Sequence, residues 1–102
     1  MRVLILATTA PPRGVLRSLA NLGIEPVVAR PGGQTESDGL IQFVRVSARG
    51  DAAKPQDLRW SRRGLRALMR DVGPGLLHIV ADPWTPTAQA GAAAARDLKV
   101  PY

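Results

Sequence analysis

Four consecutive residues at the start of a predicted helix offer the clearest chemistry in the sequence. The segment Asp82-Pro83-Trp84-Thr85 follows an apolar run directly. A carboxylate accepts hydrogen bonds from sugar hydroxyls, and an indole ring covers the C–H face of a sugar. The same residues also suit a structural role, in which Asp82 or Thr85 caps the helix and Trp84 packs against it. The sequence leaves both interpretations open.

A second candidate site is the loop that follows the first apolar run. Arg13 and Gly14 close the segment TTAPPRG, residues 8–14, just before a predicted helix. A helix N-terminus with a flexible glycine and a nearby arginine can receive a phosphate group. The segment lacks the spacing of a dinucleotide fingerprint or a P-loop, so an ordinary strand-to-helix turn is the alternative.

His78 is the single histidine of the chain, and the chain has no cysteine. It stands in the apolar stretch LLHIVA, which we expect to be a buried strand. A lone histidine there is more often a hydrogen-bonded core residue than a base or a ligand, although we keep it among the candidate substrate-binding residues. We predict no metal site and no cofactor.

Arginine supplies most of the formal net charge of +6, because only Lys54 and Lys99 are lysines. Five arginines are predicted to lie on one side of a single helix: Arg59, Arg62, Arg63, Arg66 and Arg70. Such a face can follow phosphates or lie on an anionic membrane, with Trp60 as an anchor. It can equally be the solvated outer face of a helix that covers a sheet, or the contact with a neighbouring domain. We retain the membrane contact as a hypothesis and do not expect nucleic acid.

The elements that position these residues alternate between strand and helix along the 102 residues. Apolar runs predict strands over Val3–Ala7, Ile24–Ala29, Leu40–Val46 and Leu76–Ala81, and apolar spacing predicts helices over 15–22, 57–72 and 86–99. Residues 31–39 and 47–56 are predicted loops. The fold class is therefore α/β, a Rossmann-like parallel sheet with helices on both faces, truncated where a fifth strand begins near Pro101.

Topology alone predicts where a ligand binds in such a sheet. With the strand order 3-2-1-4, the sheet changes direction between the first and fourth strands, and ligands bind beyond the carboxyl ends of strands at that point. This places the loops 8–14 and 81–85 on either side of one crevice. The N-terminal apolar run has only five residues, too few for a signal peptide, so we predict a cytoplasmic protein, at most peripheral to the inner face of the membrane.

Three stretches together resemble a known family. They are MRVLIL at the first strand, LRSLANLGIEPVVARPGG after it, and RALMRDVGPGLLHIVADPWTPTAQAGAAAARDLKVPY to the last residue. They resemble the N-terminal domain of the retaining glycosyltransferases of family four, which have the two-domain GT-B fold. The features that match the family's last motif are His78, Asp82, Pro83, Trp84, Pro101 and Tyr102. The chain departs from the family's pattern at Gly14, where a Gly-Gly pair is frequent, at Val80, where many members have a second histidine, and at Asp82, where many have glutamate.

The resemblance implies a function for a longer parent protein. Residues 1–102 would form the first half of its N-terminal domain, which mainly holds a sugar or lipid-linked acceptor, while the nucleotide-sugar donor is recognised by the second domain. The implied reaction is sugar transfer with retention, and no catalytic residue is assigned to this half. The chain alone is then expected to be inactive. The alternative is a small basic module that contacts nucleic acid or an anionic membrane through its arginine helix.

Overall fold

The computed structural model describes residues 1–9, 11–32, 34–51 and 53–102. In chain order the strands are β1 (Arg2–Ala7), β2 (Glu25–Arg30), β3 (Glu36–Asp38), β4 (Ile41–Arg45), β5 (Ala48–Arg49), β6 (Arg59–Trp60) and β7 (Leu76–Val80). The helices are α1 (Arg13–Asn21), α2 (Arg62–Val72) and α3 (Pro86–Leu98), and a short 3-10 turn covers Pro55–Asp57. No helix in these ranges is long and apolar enough to cross a bilayer.

The main sheet has five strands in the order β3-β4-β2-β1-β7. Strand β1 pairs in parallel with β2 on one side and with β7 on the other, and β2 pairs in parallel with β4. Strand β3 adds an antiparallel edge to β4. The four apolar runs therefore stand in the predicted parallel order, and the chain has an α/β fold with a mostly parallel sheet.

Successive residues of β1 point to opposite faces of the sheet and supply two separate cores. Val3 and Ile5 pack with Leu16 of α1 on one face. Leu4 and Leu6 pack on the other face with residues of α2 and α3. Burial on both faces explains why this strand is a continuous apolar run without polar alternation.

Helix α3 lies close to the sheet because its inner face is made of small residues. The buried positions are Thr87, Ala88, Ala90, Gly91, Ala94 and Ala95. A Cβ atom added at Gly91 would stand 2.7 Å from Cδ2 of Leu6 and 3.0 Å from Cδ1 of Ile79. The contact surface between α3 and the sheet therefore has no room for a larger side chain at this position.

The helix ends follow the predicted signals. The Thr85 hydroxyl caps α3 by accepting a hydrogen bond from the Ala88 N–H, and Pro86 is the first helical residue. Gly73 ends α2 with a φ of 58°, in the left-handed conformation that favours glycine. Helix α1 begins at Arg13, two residues before the predicted start.

The predicted loop 31–39 contains the short strand β3, which the polar sequence Glu-Ser-Asp did not suggest. Its acidic side chains are bound by arginines from elsewhere in the chain. Asp38 accepts hydrogen bonds from Arg13 and Arg17, and Glu36 accepts them from Arg13 and Arg30. Backbone pairing with β4 and these ion pairs, rather than apolar side chains, attach this edge strand to the domain.

The predicted helix 57–72 begins only at Arg62, because Ser61 is its N-cap and accepts a hydrogen bond from the Gly64 N–H. The residues before it form β6, which pairs antiparallel with β5 inside the predicted loop 47–56. Leu58 and Trp60 are buried in the core shared with α3. Burial of these two apolar side chains draws the segment into an extended ribbon instead of a helical turn.

Candidate functional site

The crevice predicted from topology lies where β1 and β7 end side by side. Ala7 is the register partner of Val80 in the parallel pair, so both strands present their carboxyl ends at the same edge. A cavity of about 400 Å³ opens there, and its lining residues are Thr8, Val80, Ala81, Asp82 and Thr85. The predicted adjacency of the loops after the first and fourth parallel strands is thereby confirmed.

Thr85 and Asp82 have different roles at this edge. Thr85 is buried, and its hydroxyl donates to the Asp82 carbonyl oxygen at 2.7 Å while it caps α3. Asp82 itself is exposed, and no cation in the described part of the chain lies within ion-pair distance of its carboxylate. Thr85 therefore fixes the backbone of the loop, while the Asp82 carboxylate remains available to accept hydrogen bonds from a ligand.

Trp84 stands out from the loop with 72% of its surface exposed. Its carbonyl oxygen accepts a hydrogen bond from the Gln89 side chain at 3.4 Å, which anchors the backbone of the turn but leaves the ring open. The structural alternative is therefore confirmed for Thr85, which caps the helix, and wrong for Trp84, whose ring is largely exposed. An exposed indole beside an unpaired carboxylate has the composition of a sugar-binding surface.

His78 is exposed, so the prediction of a buried core histidine is wrong. It is the register partner of Ile5, and its side chain therefore lies on the face of the sheet that carries α1. Helix α1 packs mainly over β2 and β4, and both His78 and Val80 of β7 are exposed on this face. Val80 lines the cavity, whereas His78, two residues earlier on the same strand, is not among the lining residues.

Arg13 and Gly14 follow β1 in the chain but are not among the residues that line the cavity, and the Arg13 side chain contacts the edge strand β3 instead. Its guanidinium donates to Asp38 at 3.0 Å and to Glu36 at 2.8 Å, and it lies 4.7 Å from the centre of the Phe43 ring. The hydrogen bond to Asp38 raises the pKa of Arg13 and lowers the pKa of the Asp38 carboxyl. Two carboxylates already neutralise this arginine, while nothing lies within 4 Å of a Cβ atom built on Gly14.

The five candidate membrane-binding arginines do not share one helix. Arg59 belongs to β6, and the other four lie on α2: Arg62, Arg63, Arg66 and Arg70. Arg66 donates to the Asp97 carboxylate of α3 at 3.2 Å. The predicted arginine face is therefore not a single helix face. Arg59 lies on β6 before the helix, and Arg66 is paired with Asp97.

Thr8 and Val80 line the crevice. Sequence reasoning placed Thr8 there as the first residue of the loop 8–14 without selecting it as a site residue, and it did not place Val80 at the crevice. The available signal was positional, since each is the residue next to, or at, the carboxyl end of a strand at the predicted switch point. The crevice has to be interpreted from its own residues, because no protein-family model matches the chain and no curated protein or solved structure matches it.

Proposed function

We propose that the chain is the first half of the Rossmann-like N-terminal domain of a retaining glycosyltransferase, and that the crevice between β1 and β7 binds the sugar acceptor. One observation carries the proposal: Asp82 lines a cavity of about 400 Å³ with its carboxylate exposed, and Trp84, two residues later in the same loop, has an exposed indole ring. The size suits one sugar ring with part of a second.

The chemistry of the rim fits a neutral sugar. The Trp84 ring offers a flat apolar face to the C–H groups of a pyranose, and Asp82 accepts from two neighbouring hydroxyls. The Thr8 hydroxyl, on the other side of the crevice, can donate or accept. Contacts of these kinds are worth about 1–3 kcal/mol each, which corresponds to weak binding of a single sugar in the millimolar range.

The edge of the sheet at β7 supports the wider architecture of the proposal. After α3 the chain returns beside β7, and the Leu77 N–H donates to the Pro101 carbonyl oxygen at 2.8 Å. This is the hydrogen bond that the first residue of a fifth parallel strand would make. In the proposed parent, a second domain closes over the crevice and binds the nucleotide-sugar donor.

The two tryptophans provide the test of sugar binding. Trp84 is exposed at the crevice, whereas Trp60 is buried and its indole N–H donates to Thr87 Oγ1 at 2.8 Å. In ¹H–¹⁵N spectra of the 102-residue chain, titration with neutral hexoses and disaccharides should move the Trp84 indole resonance and leave that of Trp60 in place.

Variants make the sugar test specific. Asp82→Asn and Trp84→Ala should each weaken binding about 5- to 100-fold. Asp71→Asn is the charge-matched control. Asp71 is exposed near the C-terminal end of α2, which lies beside Arg2 at the amino-terminal ends of the strands, away from the crevice. A panel in which no sugar moves the Trp84 resonance, or in which Asp82→Asn and Asp71→Asn behave alike, would disprove acceptor binding at this crevice.

Catalysis by the chain alone is not expected. The proposed donor contacts belong to a second domain, so the purified chain should release no nucleotide from a panel of nucleotide-sugars with sugar acceptors present. Turnover above the protein-free control would contradict the division of roles between the two domains.

A further inference from the structure

The ribbon formed by β5 and β6 carries two mirrored triplets. Ser47-Ala48-Arg49 on one strand faces Arg59-Trp60-Ser61 on the other, with Ala48 opposite Trp60 and Arg49 opposite Arg59. The Ser61 N–H donates to the Ser47 carbonyl oxygen at 2.8 Å and extends the pairing by one residue. The two arginines and the two serines therefore stand across from one another, on either side of the unlike pair Ala48 and Trp60.

Alternation along the strands separates the ribbon into two faces. Trp60 is 6% exposed and lies in the core shared with α3, so this face of the ribbon is buried. The two serines and two arginines occupy the other face: Ser47, Arg49, Arg59 and Ser61. A cavity of about 410 Å³ is bordered by the same two triplets.

The arginine pair takes part in no ion pair within the described residues. Residues directly opposite in an antiparallel pair have Cβ atoms about 4.5–5.5 Å apart, and like charges there are destabilising. No carboxylate in the described ranges forms an ion pair with Arg49 or Arg59, although five other arginines do find one: Arg2, Arg13, Arg17, Arg30 and Arg66. Two exposed arginines therefore leave the ribbon from directly opposite positions, an arrangement that an anion between them would stabilise.

The hydroxyl groups next to the arginines add hydrogen-bond donors. Ser61 Oγ accepts from the Gly64 N–H at 3.0 Å, which leaves its own hydrogen free to donate outward. The ribbon beneath is held in place by the hydrogen bond between Trp60 Nε1 and Thr87 Oγ1. The four polar groups are therefore presented on a support that is fixed from the buried side.

We propose that this quartet, Ser47, Arg49, Arg59 and Ser61, binds a phosphate monoester. Each guanidinium matches two phosphate oxygens in a fork, and a dianion neutralises both charges at once, which a carboxylate cannot do. The ligand is either a soluble phosphate compound or the monoester headgroup of a lipid. The site is separate from the sugar crevice and does not depend on the proposed transferase function.

The test uses the full 102-residue chain and two forms of the ligand. Inorganic phosphate is titrated at constant ionic strength while the amide resonances of residues 47–50 and 59–61 are followed. Vesicles of phosphatidylcholine with phosphatidic acid are compared with vesicles that carry phosphatidylglycerol at the same fraction, because only the former has a monoester phosphate. Arg49→Gln and Arg59→Gln remove one guanidinium each, and Arg49→Lys keeps the charge but loses the fork.

Arg70→Gln is the matched control, since Arg70 is exposed on the last turn of α2 and lies outside the quartet. We expect saturable phosphate binding that weakens at least tenfold in Arg49→Gln and Arg59→Gln, less in Arg49→Lys, and less than twofold in Arg70→Gln. Selective binding to phosphatidic acid vesicles that is lost with Arg49 would identify a lipid as the ligand, and binding of free phosphate alone would identify a soluble one. Equal behaviour of Arg49→Gln and Arg70→Gln would overturn the proposal, and so would the combination of no saturable binding of inorganic phosphate with no preference for phosphatidic acid vesicles.

Discussion

The hydrogen bond between Trp60 and Thr87 yields a quantitative prediction for the replacement Thr87→Val. Thr87 is fully buried, and its hydroxyl is the acceptor for an indole N–H that is itself buried, at a distance of 2.8 Å. Valine has nearly the same shape and a similar helix propensity, but it leaves the indole donor without this acceptor. A buried unsatisfied donor costs about 1–3 kcal/mol, while burial of the added methyl group returns at most about 0.8 kcal/mol.

We therefore expect Thr87→Val to lower the free energy of unfolding by about 1–2 kcal/mol, measured by urea denaturation followed by circular dichroism. Trp60→Phe and the double variant complete a thermodynamic cycle, whose coupling energy should be about 1 kcal/mol because both changes remove the same bond. The Trp60 indole proton should exchange faster with solvent in Thr87→Val, whereas that of Trp84 should not change. A coupling energy below about 0.3 kcal/mol would refute the claim that this bond fixes the ribbon to α3.

Four further replacements test other parts of the fold. Gly14→Ala should raise the free energy of unfolding by about 0.5–1 kcal/mol in urea denaturation, because Gly14 is helical, has open space at its Cβ position and does not have a positive φ. Gly91→Ala makes the same gain in helix propensity but should be destabilising overall by up to about 2 kcal/mol, because its Cβ atom would press on Leu6 and Ile79; equal effects of the two replacements would contradict the close packing of α3. Gly50→Ala should cost at least about 2 kcal/mol and broaden the amide resonances of the ribbon, because Gly50 has a φ of 98° and a Cβ atom would collide with the Asp57 carbonyl oxygen. Finally, the hydrogen bonds from Arg13 and Arg17 lower the pKa of Asp38 in the folded state. The charged carboxylate therefore stabilises the folded state at pH values above the ordinary aspartate pKa. This stabilisation is lost as the pH falls through the lower pKa of the folded state. Melting temperatures measured between pH 7 and pH 2 should therefore fall less in Asp38→Asn than in the parent chain. If the melting temperatures of the two proteins fall in parallel, the hydrogen bonds from Arg13 and Arg17 to Asp38 contribute nothing to stability.

The parallel part of the sheet and the position of the crevice were predictable because their signals are local. Continuous apolar runs such as Val3–Ala7 indicate strands that are buried on both faces. The pair Thr85-Pro86 predicts the start of a helix to within two residues. The right-handed connections between parallel strands then restrict the order of the strands to a few choices. From that order alone, the loops after β1 and β7 had to be neighbours.

The remaining features depend on contacts between residues far apart in the chain, which no local window reports. Strand β3 is polar throughout and is held by Arg13 and Arg17, more than twenty residues earlier in the chain. His78 was assigned to the core because its neighbours are apolar, and only the packing of α1 over β2 and β4 shows that β7 is uncovered on that face. The mirrored triplets of the ribbon were visible in the sequence, but their pairing depends on the burial of Trp60.

The central position of β1 also constrains how the chain can fold during synthesis. Strand β1 joins β2 on one side and β7 on the other, and Val3 pairs with Leu76, about 70 residues later in the chain. Contacts of such long range slow folding, because the loop between them has to close before the contact can contribute any stability. Residues 3–7 must therefore remain unpaired on one side, and apolar on both faces, until β7 has left the ribosome. During that interval the exposed apolar strand is prone to aggregation, so we expect chaperones to bind this segment of the nascent chain.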